Sequence, residues 1–120
     1  MEIQQHISQQ YNQDLKSIKS KVISMGSLVE LQVKNAIYAL LNQDKELVKE
    51  VSMSDYKINK MEMKIDADCA KVFTKRQLAA GDLRLVIAVV KIITDLERMG
   101  DEAEKIGLKG SGSRNACRAF

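Results

Sequence analysis

The sequence contains no proline. No helix in it is therefore kinked by a missing backbone donor or a ring clash. Aromatic residues are 4% of the chain, so any core must be aliphatic and methionine-rich. Glycine is scarce before the last stretch of the chain. The two cysteines, Cys69 and Cys117, form no Cys-x-x-C pair, which argues for free thiols in a reducing compartment. The single histidine, His6, lies near the N-terminus, far from the acids in sequence, and reads as a surface or capping residue. No Gly-rich phosphate loop is present. Nothing in these residues points to an enzyme. The longest apolar run, Leu85 to Val90, is far too short to cross a bilayer, so no membrane insertion is expected. The polar, Gln-rich start lacks the form of a secretory signal, and a cytoplasmic location is expected.

What remains is a helical composition. Leu, Ile, Val, Ala, Lys and Glu dominate, within a 45% hydrophobic content that suffices for one small domain. The formal net charge of +3 is spread among interspersed acids and bases. No basic stripe marks a nucleic-acid surface, and nucleic acid is not an expected partner.

Apolar spacing predicts three helices. The first runs from about Ile7 to Asn42 with a seam of Leu15, Ile18, Val22, Met25, Val29, Val33, Ala36 and Leu40. Gly26 interrupts it and reads as a place for close packing by another helix. The second runs from about Asp44 to Thr74, with Val51, Ser54, Ile58, Met61, Ile65, Cys69 and Val72 as its seam. The third starts near Asp82, read as its N-cap, and its seam is Val86, Val89, Ile93, Leu96, Gly100 and Ala103. Short loops between long helices imply antiparallel neighbours, so the expected fold is an all-α, up-down-up three-helix bundle. From Gly107 to Phe120 periodicity disappears, and this Gly/Ser-rich end reads as a flexible tail.

The acids carry the functional signal. Glu62–Asp66 and Glu97–Asp101 both read E-x-x-x-D. Four residues advance a helix by about one turn, so each pair projects from one face, and its like charges repel. Such pairs are common on solvated helix faces, and that is the plainer reading of the spacing. Their placement adds to it. Asp55, Asn59, Glu62 and Asp66 each lie one residue past a seam position of the second helix. Glu97, Asp101 and Glu104 lie one past a seam position of the third. In an antiparallel hairpin two stripes with equal offsets fall on the same side, so the acids should line one groove. With the turn centred near Leu78 to Ala79, Glu62 faces Glu97, and Asp55 and Asn59 sit near Asp101. Asp66 falls nearer the turn, beside Lys91 or Thr94. An all-oxygen site of this kind suits magnesium, iron or manganese.

At these residues the chain resembles the PhoU family, regulators of bacterial phosphate uptake and phosphate-starvation signalling. The resemblance spans Ile7 to Ile106. It rests on Met25-Gly26, Val29-Glu30, Asp55 to Glu62, Ile65-Asp66, Arg76-Gln77, Gly81 to Arg84 and Asp95 to Asp101. It implies a tandem pair of three-helix bundles, of which this chain would be the first. It implies metal clusters on the E-x-x-x-D motifs, held here by Asp55, Asn59, Glu62, Asp66, Glu97 and Asp101, with a divalent or trivalent ion (Mg, Fe, Mn or Zn). It also implies an adaptor between the phosphate ABC transporter and a sensor histidine kinase, repressing the phosphate regulon when phosphate is plentiful. Asp82 and Arg84 match a family segment and read as structural capping and pairing residues. The chain departs from the family pattern at Leu78, where a proline is usual, and after Ile106, where a second bundle would follow. A truncated regulator is the expectation, with a single-bundle homologue as the other reading of that end. A homodimer is expected from the apolar surface a lone bundle leaves uncovered. The alternative function is a helical protein–protein interaction module without metal or regulatory activity.

Overall fold

The computed structural model describes the backbone of residues 2–75 and 80–111, and the side chains of 9–75 and 80–109. Within these residues the chain forms α1 (Glu2–Asn42), α2 (Lys45–Lys75) and α3 (Ala80–Ser111). None of them is long and apolar enough to cross a membrane.

The α1–α2 connection shows why the first two helices are antiparallel. Gln43 takes a left-handed φ of 51°, which ends α1. The Asp44 N–H then donates back to the Ala39 carbonyl at 3.3 Å. The Asp44 side chain accepts from Leu47 N–H at 3.2 Å, capping α2. One residue thus closes one helix and opens the next. The chain between α2 and α3, with Leu78, lies outside the described residues.

Cross-helix contacts fix the directions. Lys21 pairs with Asp68, and Gln32 with Asp55, so residue numbers fall on α2 as they rise on α1. Gly100 packs by Ile58 and Gly107 by Val51, so α3 runs against α2 as well. Gln32 meets Gly100, and Ala36 meets Gly107, so α1 and α3 run parallel. The result is the expected up-down-up bundle, a rod of 66 × 23 × 16 Å. Its core holds Ile18, Met25, Val29, Ile58, Ile65, Cys69, Val72, Val86, Val89 and Ile93.

Several expectations change. α1 starts at Glu2 rather than Ile7, because Glu and Gln are good helix formers whether or not they are buried. His6 therefore does not cap its start. α3 starts at Ala80, so Asp82 lies in the first turn instead of preceding it. The Asp82 carboxylate lies near the buried Tyr11 phenol and, after burial, helps raise its pKa. Gly26 has open space where a Cβ would stand, so it makes no close helix approach. That role falls to Gly100 and Gly107.

Gly107 also overturns the boundary placed at Ile106. It is buried in α3, and a Cβ there would lie 3.6 Å from Val51 and 3.8 Å from Ala36. Its small size serves packing, not flexibility, and the helix continues to Ser111. Residues 112–120 of the expected tail lie outside the described residues. At the same end Ala39 is buried and Leu40, expected in the seam, is exposed.

Candidate metal centre

The acid stripes of α2 and α3 do meet. Carboxylate oxygens of Asp55, Asp101 and Glu104 lie within 4.8 Å of one another. Asp55 is buried, at 6% exposure, and the other two are half-buried. Asp55 reaches this place because α2 turns it just inside the seam position assigned to Ser54. Gly100 opposite leaves room, since a Cβ there would be 3.4 Å from Asp55 Oδ1 and 3.2 Å from Ile58 Cδ1.

Burial pushes the Asp55 carboxyl up to about 6, and the charges of Glu104 and Asp101 add to the effect. One group opposes this. Gln32 of α1 donates from Nε2 to Asp55 Oδ1 at 3.3 Å, favouring the charged form. The same nitrogen donates to the Gly100 carbonyl at 2.9 Å.

About two turns further along α2 the repulsion continues. Burial raises the pKa of Glu62, with Glu97 the largest charge acting on it and Asp66 and Asp101 behind. Glu97 is raised by burial and Asp101, and Arg98 works against that shift. Glu62 and Glu97 are thus neighbours across the groove, as the hairpin numbering predicts.

The six residues expected from sequence therefore separate. Asp55 and Asp101 come together directly, and Glu62 and Glu97 form a second level. Asn59 is half-buried between those levels on α2. Asp66 is exposed and lines a different cavity together with Lys91 and Thr94, toward the C-terminal end of α2. Two contributors were left out of the expected set. Glu104 was legible, since it lies on the Glu97–Asp101 line. Gln32 carried no such signal, because it lies one residue before the seam position assigned to Val33, where a polar side chain reads as solvated.

The donor set fits a cation. Three close carboxylates, one of them buried, repel each other in the absence of positive charge. All are hard oxygen donors without histidine or thiolate, which favours magnesium, manganese or iron over zinc.

Comparison with known proteins decides the family. The PhoU domain matches residues 22–109. The chain belongs to the PhoU family. It is 49% identical over 106 residues to the phosphate-specific transport system accessory protein PhoU of Serratia marcescens, covering 88% of this chain and 44% of that protein. The PhoU homolog of Pseudomonas aeruginosa is 48% identical over 101 residues, or 84% of this chain and 42% of the homolog. The crystal structure of PhoU from Pseudomonas aeruginosa superposes with a TM-score of 0.83 at 42% identity, covering 85% of this chain and 49% of that one. The chain thus spans less than half the length of these curated PhoU relatives.

Proposed function

We propose that this chain acts as a PhoU-type accessory regulator of phosphate transport, with a cation held on the α2–α3 acid groove. The observation that carries the reading is the buried Asp55 carboxylate set against Asp101 and Glu104 in a chain of this family. Three carboxylates whose oxygens lie within 4.8 Å of one another repel when ionised, and a bound cation relieves that repulsion. A cation held by Asp55, Asp101 and Glu104, with Glu62 and Glu97 beside them, would neutralise that repulsion and tie α2 to α3. Its contribution is charge and rigidity. The chain works by contact instead of turnover, so it is not an enzyme. Its partners in this reading are the phosphate ABC transporter and the sensor histidine kinase, met at the cytoplasmic side, and a second copy of the chain.

The test uses cells that lack their own PhoU and carry a phosphate-regulated reporter. Expression of the chain in high phosphate should lower reporter output below the empty-vector level, without matching a full-length relative. Asp55→Asn combined with Asp101→Asn should remove that lowering. Reporter output equal to the empty vector at matched protein levels overturns the regulatory reading.

A further inference from the structure

We propose that Gln32 is the positioning residue of the acid cluster, and that through it cation occupancy of the α2–α3 groove is felt by α1. This rests on the cation reading above and deepens it.

Among the described residues, α1 gives no carboxylate to the cluster. It gives Gln32, which is 1% exposed. Burying a carboxamide among aliphatic residues is costly unless its hydrogen bonds are met. Here the amide nitrogen meets two acceptors on two other helices, Asp55 Oδ1 at 3.3 Å and the Gly100 carbonyl at 2.9 Å. Gly100 directly precedes Asp101, so the second bond fixes the backbone from which that carboxylate extends. One side chain therefore restrains two of the three acids from a helix that bears none.

The amide oxygen is the second observation. Gln32 Oε1 is buried and has no hydrogen-bond partner. A plain core position filled by leucine or methionine would avoid that orphan acceptor. A buried polar group left half-satisfied calls for an explanation beyond packing. Holding the cluster together supplies one. Once Asp55 is ionised, Asp101 and Glu104 repel it, and the Gln32 donor opposes that repulsion. With Gln32 in place, Asp55 Oδ1 is held toward Gly100, and the carboxylate stays in the cluster before any ion arrives. Residues that orient metal-binding groups in this way change affinity by about 10–100-fold when removed.

The test is a terbium(III) luminescence titration of the whole chain, comparing the parent with Gln32→Met and with the core control Ile65→Val. Gln32→Met keeps length and removes both donors. It should bind terbium about 10–100-fold more weakly, while Ile65→Val binds as the parent does. A second readout needs no variant. In the parent, the Gln32 side-chain amide resonances should shift saturably as diamagnetic lutetium(III) is added. Gln32→Met binding within twofold of the parent, or amide resonances that stay fixed through saturation, overturns this inference and leaves the cation reading standing. Absence of binding by the parent overturns both.

Discussion

The two ends of the α2–α3 groove are built on the same helix positions and carry opposite chemistry. Toward the α2–α3 connection, Cys69, Ala70 and Phe73 face Val86, Ile87 and Val90 around an open, mostly apolar cavity of about 720 Å³, with Asp66 and Lys91 at its edge. Toward the other end the stripes carry Asp55, Asn59 and Glu62 on α2, and Glu97, Asp101 and Glu104 on α3. The apolar end involves two helices and ordinary burial. The acid end needs a third, because Gln32 reaches it from α1. Burial also acts differently at the two ends. At the apolar end it stabilises side chains in proportion to the area removed from water. At the acid end it penalises the charged form of Asp55. Stability and cation binding should therefore respond to mutation separately.

Cutting the core under the groove is the strongest way to break the comparison. Ile58 and Ile65 are both fully buried on α2. Each change to alanine should cost about 2–5 kcal/mol in urea unfolding. Only Ile58 packs against Gly100, beside the acids. Ile58→Ala should therefore also weaken terbium(III) binding, whereas Ile65→Ala should leave it near the parent value. Equal losses of binding in the two variants would show that the acid end is not a separately held unit.

Proton linkage is the next largest effect. The folded Asp55 carboxyl sits at about 6 against an ordinary 3.8, so the folded chain holds this proton more tightly than the unfolded one. Its contribution to stability is fully present below about pH 4 and is lost as pH rises through 6. The difference is on the order of 2–3 kcal/mol. Glu62 and Glu97 are raised too and act in the same direction. In chelator, thermal stability should fall between pH 4 and pH 7, and Asp55→Asn should flatten most of that fall. Added cation should restore stability at pH 7 and have little effect at pH 4, where it competes with bound protons. A parent whose stability rises over this interval would contradict the placement of Asp55.

The legible part of the molecule was the part that depends on periodicity. The seams through Ile18, Met25, Val29, Ile58, Ile65, Val86 and Ile93 are where apolar spacing puts them. So is the common side of the two acid stripes, because that follows from rotation per residue in an antiparallel pair. Differences arose where a third helix decides. Asp55 is buried because Gly100 and Gln32 make room and a partner for it, and neither is near it in sequence. Gly107 reads as the start of a flexible end until Ala36 and Val51 are seen packed around it. Glycine in a helix serves close approach or breaks the helix, and only tertiary neighbours distinguish the two.

The smallest expected effect lies at the apolar end and sharpens the contrast. Phe73 and Ile87 flank the cavity but are 48% and 53% exposed. Each has already left about half its surface in water, so replacement by serine removes only part of a full burial contribution. Phe73→Ser and Ile87→Ser should each lower stability by about 1 kcal/mol or less, well below Ile58→Ala. Both should leave terbium(III) affinity unchanged, since neither touches Asp55, Asp101 or Glu104. Their exposed apolar surface has a different consequence. If a second copy covers this end, the double variant should shift sedimentation toward monomer at concentrations where the parent associates. Association unchanged by the double variant would move the contact elsewhere, to the exposed line of Ile92 and Met99 on α3. A stability loss as large as that of Ile58→Ala would instead show that Phe73 and Ile87 are already covered within the single chain, and the division of the groove into a packed core and an open apolar end would fail.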